Sequence, residues 1–289
     1  MKDGKIQVLL MTGFFCLEHG NGRSVNKMLR SILLSTGRFD VRIIEECRGI
    51  TAETLADYDV LLINYEGKVN IVDPSRRFGE QTEAAMFDFV RNGKGAVFYH
   101  GTTWVDERWP DEYKRLMGGY FKLRYGRRNP KGDFIIHKAE NSTGITDYMP
   151  DEWMTVEDDL FAGITWMPGS KTEVLCTAYD DVEDYKVPWF PPVHHPVDVP
   201  DGDLNKMPDI NKENPQAWSN LYGDGRTVTI AIGHGDGTIK RAGFMTLFVR
   251  ALEWAATGKA TILPPDRSGD LRLIPWPYYD AEKNPAGTQ

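Results

Sequence analysis

Apolar residues follow two rhythms along this chain, and the alternation between them predicts an α/β fold. Ile6-Gln7-Val8-Leu9-Leu10-Met11-Thr12 is a short, nearly continuous apolar run closed by Gly13. A strand takes this form when both of its faces are buried in a parallel sheet. Behind it Val25, Met28, Leu29, Ile32 and Leu33 recur at helical spacing, with Gly37 just beyond as a stop. Phe39 to Glu45 reads as a second strand, and Thr51 to Ala56 as a short helix opened by a capping threonine. Val60-Leu61-Leu62-Ile63-Asn64-Tyr65 is a third strand that turns polar at its carboxyl end, where Glu66 and Gly67 follow. Thr82, Ala85, Met86, Phe89 and Val90 share one helix face, Gly93 ends that helix, and Ala96-Val97-Phe98-Tyr99 is a fourth strand halted by His100-Gly101. This βαβαβαβ order predicts a doubly wound, mostly parallel sheet of flavodoxin-like type with helices on both faces.

Beyond Trp104 the pattern loosens. Asp111 to Met117 reads as a short helix broken by Gly118-Gly119, and Asp133 to Lys138 and Glu173 to Ala178 read as strands. Asp180 to Ala217 holds seven prolines and no periodicity, longer than an ordinary connection, and is expected to be a loop insertion that acts as a lid or is disordered. Trp218 to Tyr222, Gly223-Asp224-Gly225 and Arg226 to Ile232 form a hairpin signal that runs into Gly233-His234-Gly235. Phe244, Leu247, Phe248, Ala251, Leu252 and Ala255 then give a last amphipathic helix closed by Gly258. The expected organisation is a single domain over residues 1–260, with the insertion at about 180–217, and an extended tail over 261–289.

Composition narrows the class of partner. With 289 residues, of which 41% are hydrophobic, the chain can bury a full core. A net charge of −8 with interspersed signs offers no basic stripe, which argues against nucleic acid and membrane surfaces and in favour of small molecules. The three cysteines, Cys16, Cys47 and Cys176, form no CxxC pair, so neither a disulfide framework nor a cysteine-based zinc site is expected. The first residues lack an apolar signal segment and no apolar run is long enough for a membrane span. The expected location is cytoplasmic, or periplasmic if a signal peptide has been removed; a homo-oligomer is compatible with all of this.

Two strands end in a histidine flanked by glycine, Tyr99-His100-Gly101 and Gly233-His234-Gly235, and His19 lies in the loop after the first strand. Carboxyl ends of strands in an open α/β sheet face the ligand crevice, where an imidazole can act as base, acid or metal ligand. A turn histidine with a purely structural task is the competing reading of His100. No Gly-x-Ser-x-Gly or Cys-Gly elbow is present, so a covalent serine or cysteine mechanism lacks a nucleophile; Cys16 sits in the first crevice loop, but a small packed cysteine is its commoner reading. The alternative chemistry is a divalent metal, zinc or similar, held by His19, His100 and His234; no other cofactor is indicated.

Taken in order, Val8-Leu9-Leu10-Met11-Thr12-Gly13 with His19, Asn64-Tyr65-Glu66-Gly67, Gly95 to Gly101, Tyr113 to Gly119, Glu157-Asp158-Asp159-Leu160, and Trp218 through Gly225-Arg226 to Gly233-His234 resemble the trehalose-utilisation (ThuA-like) family over residues 5–258. That resemblance implies a class I glutamine-amidotransferase-like fold, with His100 where glutaminases keep a cysteine, so glutaminase chemistry is not expected. It also implies disaccharide catabolism and a small carbohydrate substrate, with a 3-keto glycoside as the leading choice. His100 and His234 would divide the acid and base roles, Glu66 or Glu18 tuning one of them, in glycosidic cleavage or isomerisation. Sugar-facing aromatics are then expected in Trp104, Trp109, Trp189 and Phe190, since flat rings suit the apolar faces of pyranoses, although each suits packing as well. Tyr65, His19 and Glu107 would line the crevice; His194-His195 in the long loop are by default surface histidines, with closure over the substrate as the alternative. A non-catalytic sugar-binding or regulatory module and a metal-dependent hydrolase of a non-sugar substrate are the alternatives.

Overall fold

The computed structural model describes residues 1–13, 22–67, 76–122, 126–130, 132–186 and 203–264. The first part of the chain runs β1 (Ile6–Gly13), α1 (Gly22–Ser35), β2 (Phe39–Ile44), α2 (Ala52–Leu55), β3 (Val60–Tyr65), α3 (Glu80–Arg91) and β4 (Gly95–Tyr99), then a 3-10 turn over His100–Thr103. The middle adds β5 (Trp104–Val105), α4 (Asp111–Met117), β6 (Gly119–Lys122), β7 (Arg127–Arg128), β8 (Ile135–Lys138), β9 (Glu152–Met154), β10 (Phe161–Ala162) and β11 (Ile164–Trp166). The last part is β12 (Lys171–Asp180), β13 (Lys212–Tyr222), β14 (Gly225–Ile230), α5 (Asp236–Ile239) and α6 (Ala242–Thr257).

Nine strands pair in the order β2-β1-β3-β4-β14-β13-β12-β8-β9. Every pairing from β2 to β14 is parallel, and every pairing from β14 to β9 is antiparallel. The expected mostly parallel sheet is therefore corrected to a mixed one. The cause lies in the hairpin Trp218–Ile230, because a short turn can only join antiparallel strands, and the long β12 then extends the sheet in the same sense. Within 180–217, where no element was expected, β13 already begins at Lys212. Pro215 pairs opposite Thr177 where the register of β12 slips; a residue without an N–H is tolerated at such an irregularity, and it hides the strand from a periodicity reading.

Side chains alternate across the first strands and split the core in two. Val8, Leu10, Val60, Leu62, Val97 and Tyr99 pack with α1 and α6 on one face. Leu9, Met11, Leu61, Ile63, Ala96 and Phe98 pack with α3 and α4 on the other. Helix α6 is buried from Ala242 to Ala255. Its Glu253 carboxylate accepts the backbone N–H groups of Thr261 at 2.6 Å and Ile262 at 2.9 Å, which holds the chain against the body beyond the helix. Among the described residues no helix is long and apolar enough to cross a membrane.

Candidate active site

Strands β4 and β14 are parallel neighbours with Tyr99 opposite Ile230, so their carboxyl ends deliver His100 and His234 to the same edge of the sheet. His100 opens the 3-10 turn with φ of 43°, a left-handed backbone uncommon for a residue with a side chain. The turn is tied to its neighbour: Thr102 Oγ1 donates to the carbonyl of Ile63 at 3.1 Å and accepts the Tyr65 N–H at 2.9 Å. His100 Nδ1 lies 2.6 Å from the carbonyl oxygen of Ala231. A carbonyl can only accept, so Nδ1 carries the proton and the neutral ring keeps its lone pair on Nε2. The ring stacks on Phe161 at 5.1 Å between centroids and meets the His234 ring edge-on at 5.3 Å.

A second pair of residues, not expected from the strand pattern, completes the centre. His234 Nδ1 lies 2.6 Å from Asp159 Oδ2, and Arg128 Nη1 approaches the same oxygen at 3.1 Å. Asp159 reaches this place on a strap running into β10: Asn129 Oδ1 accepts the Leu160 N–H at 2.8 Å, and Gln216 Nε2 donates to the Phe161 carbonyl at 2.9 Å. Asp158, fully buried, accepts the backbone N–H groups of Gly233 and His234, each at 2.8 Å, and so clamps the strap to the loop after β14. Burial pushes the Asp158 carboxyl up to about 6, partly offset by the backbone N–H groups it accepts. Burial also works against the Asp159 charge, but the hydrogen bond with His234, the Arg128 guanidinium and the neighbouring His234 and His100 rings outweigh it and hold that carboxyl below the usual range. Two adjacent buried carboxyls are thereby driven apart, Asp159 giving up its proton more readily than Asp158.

Gly233 and Gly101 shape the two turns. Gly233 has φ of 113°, and its carbonyl accepts the Tyr99 hydroxyl. A Cβ at Gly101 would fall 2.5 Å from Glu66 Oε1, which places buried Glu66 directly against the His100 turn. His100, Asp159 and His234 each offer one donor atom, and these atoms lie within 4.8 Å of one another.

The other expected site residues scatter. Trp104 joins the wall of the centre, near Phe121 and Phe161, with the Arg128 guanidinium 5.6 Å over its ring. Tyr65 and Trp109 instead lie in the core on the α3 side. Trp109 is 2% exposed and stacked on Tyr113 at 4.3 Å, and the Tyr65 hydroxyl donates to the Arg76 carbonyl. Their rings face packed neighbours, because the alternation of β3 turns Tyr65 to the side of the sheet that α3 and α4 cover. Glu107 is exposed in the turn before α4. His19 and His195, with Cys16, Glu18, Trp189, Phe190 and His194, lie outside the described residues. The thiols of Cys47 and Cys176 are buried, and burial pushes that of Cys47 up to about 12. Asp158, Asp159, Arg128 and Phe161 are what sequence reasoning missed as chemistry, although Glu157-Asp158-Asp159-Leu160 is conspicuous as three acids leading into an apolar strand.

The family model for trehalose utilisation, ThuA, matches residues 7–255. The chain belongs to the ThuA family. Solved structures agree in fold. A putative ThuA-like protein from Parabacteroides merdae has a TM-score of 0.69 at 22% identity, over 91% of this chain and 94% of that one. Another from Bacteroides uniformis has a TM-score of 0.62 at 19% identity, over 95% and 98%. A cytoplasmic protein from Salmonella typhimurium has a TM-score of 0.55 at 12% identity, over 87% and 100%. No curated protein matches the chain in sequence. Likeness at these identities concerns the ThuA fold, and the reaction has to be argued from the site.

Proposed function

We propose that this ThuA-family protein is an enzyme of carbohydrate catabolism that acts on a disaccharide in its 3-keto form. The observation that carries the reading is the convergence of His100, His234 and Asp159 at two adjacent strand ends. An imidazole backed by a buried carboxylate is a well-oriented base, and a second imidazole within reach supplies the acid. In a 3-keto glycoside the carbonyl acidifies the hydrogen on C2. His234, its Nδ1–H held on Asp159, removes that proton through Nε2, and His100, in its protonated state, gives a proton from Nε2 to the glycosidic oxygen. The C1–O bond breaks, a C1=C2 double bond forms, and addition of one water across it yields the free keto sugar. Glu66, packed against the His100 turn, positions that histidine. Trp104 and Phe161 provide apolar faces next to the centre.

The test is incubation with 3-keto-trehalose and related 3-keto disaccharides, with released sugar measured by chromatography. His100→Ala and His234→Ala should each lower turnover by about 10²–10⁴-fold, the range for a positioned proton-transfer group, while circular dichroism stays native. Undiminished turnover in both variants refutes the assignment, and sugar binding with no product from the unaltered protein would reduce it to a binding module.

A further inference from the structure

We propose that His100, Asp159 and His234 form a binding site for one divalent cation of borderline softness, zinc foremost. The inference rests on the same centre as the proposed function, and a cation held there would take the place of the free-imidazole acid and base roles of His100 and His234 with Lewis-acid chemistry. Two imidazole nitrogens and a carboxylate oxygen suit zinc, cobalt or iron(II) rather than calcium or magnesium, which prefer all-oxygen cages. Their donor atoms lie within 4.8 Å of one another. Donors on a zinc ion are about 3–4 Å apart, because each sits roughly 2 Å from the metal, so side-chain rotations of about an ångström close the site.

The surroundings are those of a built site. Metal-bound histidines ordinarily give their second ring nitrogen to a carbonyl or carboxylate, which fixes the ring and the tautomer. His100 already does this through Nδ1 to Ala231, 2.6 Å away. His234 Nδ1 is 2.6 Å from Asp159 Oδ2, so these two donor groups already stand side by side. Asp158 fixes the backbone of Gly233 and His234 from below, and Phe161 covers one face of His100. Three protein donors leave further coordination positions for water or for a carbonyl and hydroxyl of a sugar, as in catalytic rather than structural zinc sites. His19, which the sequence offered as the third ligand, is not needed for this set.

The experiment is titration of chelator-treated, dialysed protein with zinc chloride by calorimetry and with cobalt chloride by visible absorption. One equivalent should bind, with the intense visible bands of low-coordinate cobalt and a thermal midpoint that rises with metal concentration. His234→Gln and Asp159→Asn should each weaken binding by roughly 100-fold or more, a loss at least as large as that from removing a supporting residue. His137→Ala is the control: His137 lies on the surface beside Glu213 at 2.9 Å and Glu152 at 3.8 Å, a second place among the described residues where a histidine meets carboxylates, and its loss should leave binding unchanged. Should Asp159→Asn fold poorly, His100→Gln supplies the second variant. No binding of either metal, or binding abolished by His137→Ala and untouched by His234→Gln, overturns the inference. Keto-sugar turnover by the chelated protein, measured in parallel, separates the two readings. Turnover without metal and no metal binding would leave the histidine mechanism standing alone; metal binding with turnover only in the loaded protein would keep the site and overturn the free-histidine mechanism.

Discussion

Replacing Gly233 by alanine should cost this protein more stability than any glycine substitution made in open space, and it should do so through two separable effects. The first is conformational: at φ of 113° an L side chain is strained, by about 1–3 kcal/mol. The second is steric. A Cβ there would stand 2.7 Å from Tyr99 Oη, 2.9 Å from Tyr99 Cε2 and 3.0 Å from Phe244 Cε2. Neither ring can yield, since both are buried and the Tyr99 hydroxyl is itself held by the Gly233 carbonyl. Forcing a methyl into such packing costs about 1–3 kcal/mol. The total of roughly 2–6 kcal/mol is a large share of a domain stability of about 5–15 kcal/mol. Gly79→Ala isolates the first effect, because Gly79 has a similarly disallowed φ, 94°, but a Cβ there meets nothing within 4 Å. Urea unfolding followed by tryptophan fluorescence should show both midpoints lowered, with Gly233→Ala exceeding Gly79→Ala by about 1–3 kcal/mol at unchanged slope. Equal losses in the two variants would refute the claim that Tyr99 and Phe244 close the space. Because His234 follows directly and its N–H is held by Asp158, Gly233→Ala should also impair whatever His234 does.

Two further outcomes follow from buried and surface charges. Asp180 is fully buried, pairs with the buried guanidinium of Arg127 and accepts the Tyr185 hydroxyl at 2.8 Å; Asp180→Asn should cost about 3–5 kcal/mol by leaving that cation unneutralised, and a thermal midpoint within a degree of the parent would contradict it. Glu173 accepts the Ser142 hydroxyl at 2.7 Å and its N–H at 2.6 Å, and these hydrogen bonds hold its carboxyl below the ordinary 4.5. A folded value below the unfolded one contributes stability above the unfolded value and loses it as pH falls through the folded one. Glu173→Gln should therefore be destabilising near neutrality and indistinguishable from the parent in urea midpoint at strongly acidic pH; a difference that persists there would contradict the assignment.

Most of the local architecture was readable from residue order. The apolar runs at β1, β3 and β4 and the helical spacing of α1, α3 and α6 report a burial pattern that depends only on nearby residues, and the structure has those elements. The short strands β5 to β7 and β9 to β11 were not readable, since segments of two to four residues carry no periodicity. Pro215 hid the start of β13 in the same way. Within the site, the two histidines stood out because strand ends in such folds face ligands, whereas Tyr65 and Trp109 were assigned to the crevice on proximity in sequence and lie on the covered side of the sheet.

What the chain alone determined, then, is which residues form strands, that β4 and β14 each run into a histidine beside glycine, and which family pattern they make. Only the tertiary structure decided that β4 pairs with β14 across 130 residues of chain, as the Tyr99–Ile230 register shows, and that Asp158 and Asp159 complete the centre. The physical reason is that a carboxylate's role depends on what surrounds it. In the sequence Asp158-Asp159 is an acidic pair like any on a surface; in the fold both are buried, one taken up by backbone N–H groups and the other facing His234 and Arg128. No local pattern encodes that difference, because every group that creates it arrives from another part of the chain.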